Sequence, residues 1–173
     1  MVGIVIVSHS ARLADGVVEL AREMAGPEVV MVAAGGLDLP GRPLGTDAAF
    51  IARAIEAAWA DDGVLVLMDL GSAVLSAEMA AEMMPDERQS RLLLCEAPLV
   101  EGAVAAAVAA RLGDPLDKVA AEARGGRGRR MMSSGRRIRF QRCRRATCSE
   151  AAHRAYIGAT QVGQVTVNWN GMW

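Results

Sequence analysis

Two residues with side chains suited to nucleophilic chemistry each follow an apolar run of the sequence. His9 follows the run GIVIVS and precedes Ser10, and Asp69 follows the run VLVLM. A carboxylate beside a histidine accepts a hydrogen bond from one ring nitrogen, fixes the tautomer and leaves the other nitrogen free as a nucleophile. It also stabilises the positive charge that develops on the ring during attack. The pair therefore indicates chemistry at His9, provided that the fold brings the two residues together.

The elements that must position this pair follow from the spacing of apolar residues. Short continuous apolar runs predict strands buried on both faces, at Val2–Val7, Val29–Ala33, Val64–Met68 and Arg91–Cys95. Longer segments with apolar residues at helical spacing predict helices. One follows Ser10 and has its apolar face at 13–24, and one is capped by Thr46-Asp47 and has its apolar face at 50–59. Three more are predicted at 73–84, 99–112 and 115–123. Strands and helices thus alternate along the chain.

This alternation predicts an α/β fold with a flavodoxin-like, doubly wound parallel sheet in three αβα layers. With the common strand order 2-1-3-4, the order reverses between the first and third strands. Ligands of such sheets bind beyond the carboxyl ends of the strands at that reversal. Those two strands carry His9 and Asp69, so the predicted topology places the histidine beside the carboxylate.

Helix starts close to both residues predict an anion site. Ser10 is suited to cap a helix that begins directly after His9, and Ser72 lies at the start of the helix that follows Asp69. Free N–H groups at helix N-termini bind phosphate. A nucleophilic histidine, an orienting aspartate and two helix N-termini together indicate phosphoryl transfer onto the ring. The alternative is that His9 only ends a strand and Asp69 only caps a helix.

Several other classes of site lack their sequence signals. The glycine-rich segment Gly35–Gly45 has no Lys-Ser/Thr ending, so it is not a P-loop, and the first strand–helix turn lacks the dinucleotide fingerprint. Cys143, Cys148 and His153 have an unusual spacing and no fourth ligand, so no metal site is expected. We also expect no cofactor.

Composition indicates a cytoplasmic protein. No apolar run approaches the roughly 18 residues of a membrane span, and Met1 leads directly into a strand without the basic region of a signal peptide. Three cysteines are an odd number that fits a reducing compartment. Cys95 ends an apolar run and is expected to be a core residue.

Charge divides the chain into two parts. Residues 1–124 contain 19 acidic and 9 basic side chains, whereas residues 125–173 contain ten arginines and one acidic side chain, Glu150. We therefore predict a folded domain at 1–124 and an Arg-rich tail at 125–173. The tail has almost no aromatic residues between its basic clusters, so nucleic-acid binding is not expected. Three interpretations of its composition stay open: a disordered basic tail, a patch for nucleic acid or an acidic partner, and a non-native extension such as a shifted reading frame would produce.

Four spaced motifs resemble the mannose-type EIIA domains of the phosphoenolpyruvate:sugar phosphotransferase system. They are GIVIVSHS at 3–10, Ala34-Gly35-Gly36 with Gly45-Thr46, VLVLMDLGSA at 64–73, and APLVEGA at 97–103. More narrowly, they resemble the phosphotransferase subunits of bacterial dihydroxyacetone kinases that depend on this system. Sugar-transporting EIIA domains are less similar, since they tend towards Thr-His-Gly and Trp-Gly-Gly-Ser in the first and third motifs.

The resemblance implies a cycle of phosphoryl transfer and the residues that carry it. His9 would accept a phosphoryl group from the histidine carrier HPr, as tele-phosphohistidine, and Asp69 would orient it. Gly36, Thr46 and Ser72, with Ser10, match positions around the phosphate. The phosphoryl group would pass to ADP on a nucleotide-binding kinase subunit, and the ATP formed would phosphorylate dihydroxyacetone held by a third subunit. A homodimer is implied, and no membrane partner.

Two rival functions remain compatible with the sequence. One is a mannose-family sugar transporter EIIA, whose acceptor would be a membrane-associated component. The other is a ligand-binding regulator without catalysis, in which His9 only contacts a small molecule or nucleotide.

Overall fold

A computed structural model of the protein describes residues 1–125. In that part of the chain, strands and helices alternate almost throughout. The strands are β1 (Gly3–Ser8), β2 (Met31–Gly35), β3 (Val64–Met68) and β4 (Leu92–Cys95). The helices are α1 (Ala11–Ala25), α2 (Ala48–Ala57), α3 (Gly71–Glu82), α4 (Asp86–Gln89), α5 (Leu99–Arg111) and α6 (Leu116–Gly125).

The strands form a four-stranded parallel sheet in the order β2-β1-β3-β4. This confirms the predicted fold class and strand order. Val7 of β1 pairs with Met68 of β3. Because these partners are the last apolar residues of the two strands, His9 and Asp69 leave the sheet at the same edge.

Helices cover both faces of the sheet. Ile4, Ile6, Leu65 and Leu67 point to the face covered by α1, α5 and α6. Their neighbours along the same strands point to the opposite face, covered by α2 and α3, where Val5 and Val7 belong to a second core cluster. Side chains alternate across a strand in this way. The three-layer αβα architecture is therefore confirmed.

The second strand lies two residues later than the sequence predicts. Val30 is exposed and precedes the strand, whereas Ala34 and Gly35, which lie beyond its predicted end, pair with β1. These small residues have weak strand propensity and read as the start of a loop. Their extended conformation is instead set by pairing with β1, which is buried along its whole length.

Smaller differences occur after β3. Helix α3 begins at Gly71 rather than at residue 73, and the single-turn helix α4 follows Pro85, where the sequence predicts only a helix end. Cys95 is buried, as predicted. None of the helices within residues 1–125 is long and apolar enough to cross a membrane. Apart from Gly125, the predicted tail at 125–173 lies outside the described residues, as do Cys143, Cys148 and His153.

Candidate active site

The carboxyl ends of β1 and β3 bring His9 and Asp69 into direct contact. Nδ1 of His9 lies 2.9 Å from Oδ1 of Asp69. The side chains are 25% and 12% exposed, respectively. The ring is therefore accessible to a partner, while the carboxylate behind it is largely shielded from water.

Asp69 is the centre of a hydrogen-bond network. Its Oδ2 accepts from the Ser8 hydroxyl at 2.8 Å and from the backbone N–H of His9 at 2.9 Å. Its Oδ1 accepts from the His9 ring and from the backbone N–H of Leu70 at 2.7 Å. Burial by itself would raise the pKa of Asp69, but these hydrogen bonds together outweigh it and hold the pKa below its usual value.

The hydrogen-bond partners assign the tautomer of the ring. An ionised carboxylate only accepts hydrogen bonds, so Nδ1 of His9 carries a proton and donates a hydrogen bond to Asp69. In the neutral ring Nε2 then presents a lone pair, and the Ser72 hydroxyl, 2.5 Å away, is placed to donate to it. In this tautomer the nitrogen remote from Asp69 is the one that carries a free lone pair, and it lies beside Ser72.

Two helices begin close to His9. The hydroxyl of Ser10 caps α1 by accepting from the N–H of Leu13 at 3.3 Å. Helix α3 begins without a side-chain cap, because its N-cap residue is Leu70. Since Ser72 in its first turn contacts Nε2, the uncapped end of α3 lies beside the nucleophilic nitrogen. Such an end favours a bound anion.

The loop after β2 packs against the backbone of the site. The N–H of Gly45 donates to the carbonyl of His9, and that of Gly36 donates to the carbonyl of Ser8, each at 3.0 Å. Gly36 has φ +73°, and a Cβ there would lie 2.9 Å from the carbonyl oxygen of Arg42, so only glycine fits.

Thr46 connects this loop to α3. Its hydroxyl lies 2.8 Å from that of Ser76. Gly36 and Thr46 therefore shape the loop that supports the site. Direct contact of either residue with phosphate stays a prediction, as it does for Ser10 and Ser72.

Ser8 belongs to the site although it is not among the residues predicted for it. This residue is fully buried, and its hydroxyl contacts Asp69. A serine at the end of an apolar run reads as the start of a loop, which explains the omission. The apolar run that ends at Ser8 is a usable signal, because a serine buried at the end of such a run needs a hydrogen-bond partner for its hydroxyl.

Comparison with known proteins shows which family this chain resembles. The EIIA-man family, described as PTS system fructose IIA component, matches residues 3–120. The phosphoryl donor subunit DhaM of the PEP-dependent dihydroxyacetone kinase of Escherichia coli K12 is 52% identical over 120 residues. That match covers 69% of this chain but 25% of the relative, so the chain aligns with about a quarter of the relative's length.

Shorter relatives and solved structures match over most of their length. The DhaM subunit of kinase 2 from Listeria innocua is 42% identical over 108 residues, which cover 62% of this chain and 85% of the relative. The crystal structure of protein EF1359, of unknown function, has a TM-score of 0.63 at 39% identity and covers 70% of this chain and 92% of its own.

A third similarity concerns the fold alone. The EIIA component from Streptococcus agalactiae has a TM-score of 0.54 at 17% identity, and the match covers 73% of this chain and 92% of that one. The sequence motifs, the strand order and these matches all indicate the same family. The chain belongs to the EIIA-man family of the phosphotransferase system.

Proposed function

We propose that this protein is a phosphohistidine carrier that supplies a dihydroxyacetone kinase. His9 accepts a phosphoryl group from the phosphorylated histidine carrier HPr. It then passes the group to ADP bound on the nucleotide-binding subunit of the kinase. The observation that carries the proposal is the contact of His9 with Asp69 through Nδ1, which leaves Nε2 available beside the uncapped start of α3.

The chemistry of the first transfer follows from the tautomer. As the Nε2–phosphorus bond forms, the nitrogen–phosphorus bond of the donor breaks, and the donor ring keeps the bonding electron pair. The His9 ring retains its proton on Nδ1 and becomes positively charged. The Asp69 carboxylate at 2.9 Å stabilises that charge. In the second transfer a terminal phosphate oxygen of ADP attacks phosphorus, and Nε2 regains its lone pair.

The phosphoryl oxygens need donors that are already in position. The hydroxyl of Ser72, which contacts Nε2 in the free protein, is close enough to turn to such an oxygen. The first N–H groups of α3 and the α1 N-terminus beyond Ser10 supply further positive potential. The backbone N–H groups among these donors are fixed by the helices, so they lower the barrier without rearranging during the reaction.

The choice of acceptor rests on the relatives. Proteins named as phosphoryl donor subunits of dihydroxyacetone kinases are 52% and 42% identical to this chain. The sugar-transport EIIA function is the second candidate, favoured only by the description of the family as a fructose IIA component.

A labelling experiment tests the proposal. The protein is incubated with phosphoenolpyruvate, the general phosphotransferase enzyme and HPr. We expect an acid-labile, base-stable phosphate on the wild type and none on His9→Ala. Label that persists in His9→Ala, or a wild type that takes up none, would contradict the carrier function.

The acceptor is tested by adding purified components to the labelled protein. Transfer to ADP on the kinase subunit supports the proposal. Transfer only to a sugar-specific transporter component would instead assign the protein to sugar uptake. Asp38→Asn is a suitable control, because Asp38 pairs with Arg53 on the surface, and both side chains are 56% exposed.

A further inference from the structure

Ser8 occupies an unusual position beside the candidate site. It is the last residue of β1, and its relative exposure is 0%. Within residues 1–125, the buried side chains are otherwise apolar. A polar group in such a place costs stability unless its hydrogen bonds are satisfied, so its contacts are informative.

The partners of the Ser8 hydroxyl fix the direction of its proton. The backbone N–H of Ser10 lies 3.0 Å away and can only donate, so Ser8 Oγ accepts there. The single hydroxyl proton is therefore free to point to Oδ2 of Asp69, at 2.8 Å. A continuous chain of donors thus runs from the N-cap residue of α1 through Ser8 to the carboxylate.

Ser8 is itself held rigidly. It pairs with Gly35 of β2 in the sheet, and its carbonyl accepts from the N–H of Gly36. A hydroxyl on such a fixed strand end approaches the carboxylate from one direction only. It therefore restrains rotation of the Asp69 side chain more strongly than a donor on a loop would.

We infer that Ser8 is a positioning residue that sets the orientation of Asp69 and, through it, the tautomer and orientation of the His9 ring. Without the hydroxyl, Oδ2 would retain only the N–H of His9 as a donor, and the N–H of Ser10 would lose its acceptor. The carboxylate would then be less firmly held against Nδ1. The link to phosphoryl transfer rests on the proposed function, whereas the link to Asp69 does not.

Ser8 acts through Asp69 rather than on the phosphoryl group. Its side chain is enclosed, whereas the ring of His9 remains partly exposed. The Ser8 proton is also committed to the carboxylate. The hydroxyl is thus unable to contact a group bound at Nε2, on the far side of the ring.

NMR spectroscopy on the free protein tests this inference. The Asp69 carboxyl carbon is titrated, and the ring nitrogens of His9 report the tautomer, in the wild type, Ser8→Ala and Ser8→Thr. We expect Ser8→Ala to raise the pKa of Asp69, because the ionised form loses a donor, and to add a fraction of the Nε2–H tautomer. Ser8→Thr keeps a hydroxyl, so it should show the wild-type pKa of Asp69 and the wild-type tautomer of His9.

Val7→Ala is the matched control. It removes buried methyl groups one residue earlier in the same strand and lowers stability without touching the network. The pKa of Asp69 and the tautomer of His9 in Val7→Ala should match those of the wild type. If Val7→Ala changes them as Ser8→Ala does, or if Ser8→Ala leaves both unchanged, the positioning role is wrong. Should Ser8→Ala fail to fold, Ser8→Cys replaces it, with a weaker S–H donor and the same two signals.

Phosphorylation kinetics complete the test. The loss of one hydrogen bond to a charged group predicts a rate of His9 phosphorylation roughly tenfold lower in Ser8→Ala. A wild type that is not phosphorylated at all would contradict the proposed function and leave the NMR result standing. NMR signals unchanged in Ser8→Ala would contradict the role of Ser8 whatever the wild type does.

Discussion

The Asp69 carboxylate binds both the backbone and the side chain of His9. One oxygen accepts the backbone N–H at 2.9 Å, and the other accepts the ring Nδ1–H at the same distance. The carboxylate therefore fixes both where the residue leaves the strand and how its ring is turned. A substitution of Asp69 should affect position and electrostatics together.

Asp69→Asn should lower the rate of His9 phosphorylation by a factor on the order of 10²–10⁴. The amide has no negative charge to stabilise the ring, and it can present an N–H to Nδ1 and so favour the wrong tautomer. Transfer of labelled phosphate from HPr measures the rate. An Asp69→Asn protein that is phosphorylated as fast as the Asp38→Asn control would contradict the orienting role.

Asp69 should make stability depend on pH in the acid range. Burial opposes ionisation, but the hydrogen bonds outweigh it and lower the pKa of Asp69 below the ordinary 3.8. The stabilisation is therefore fully present above about pH 4. It decreases as the pH falls through the lowered folded-state value, because the unfolded chain takes up the proton first.

Urea unfolding of the wild type and Asp69→Asn between pH 6 and pH 2.5 measures this effect. The difference in the free energy of unfolding should be constant near pH 6 and should shrink below about pH 4. A difference that stays constant over the whole range would show that the Asp69 carboxylate contributes no such linkage.

Ser72→Ala should slow phosphorylation by about tenfold or less and leave the fold intact. Its hydroxyl contacts Nε2 of His9 on the exposed side of the site, so its loss removes a donor without opening the core. Ser90→Ala is the control, since that exposed hydroxyl donates to the carbonyl of Glu87. Equal rates for the two variants would exclude a role for Ser72 in the transfer.

Gly35→Ala should destabilise the protein by about 1–3 kcal/mol. A Cβ at Gly35 would lie 2.7 Å from the carbonyl oxygen of Ser10 and 2.8 Å from Cβ of Ala14, so the start of α1 would have to move. Gly16→Ala, in the middle of α1, meets no atom within 4 Å and should instead stabilise by about 0.5–1 kcal/mol. Chemical denaturation measures both, and a destabilised Gly16→Ala would contradict the packing argument.

The central part of the site is predictable from sequence because it depends on topology alone. Once the strands are parallel and ordered β2-β1-β3-β4, the residues that follow β1 and β3 must be neighbours. The topology is therefore sufficient to predict that His9 and Asp69 are neighbours. The orientation of the His9 ring is not predictable in this way. It depends on the contact between Nε2 and Ser72, and Ser72 lies in the first turn of α3, which begins at Gly71 rather than at residue 73.

Ser8 and the end of β2 show where sequence reasoning stops. Whether a serine after an apolar run is buried depends on what the neighbouring strands place above it. In the same way, Ala34 and Gly35 become strand residues because β1 offers them partners. Local propensity does not contain such information, since it arises from contacts between distant segments.

The distance along the chain between the two halves of the site has a consequence for folding. Ser8 and His9 are separated from Asp69 by 61 and 60 residues, and the whole β2–α2 unit lies between them. Contacts of such long range form late, because the loop that they close must first be ordered. A nascent or partly folded chain thus carries the histidine but no reactive centre. Under the proposed function, phosphorylation of His9 therefore requires that β3 has docked against β1.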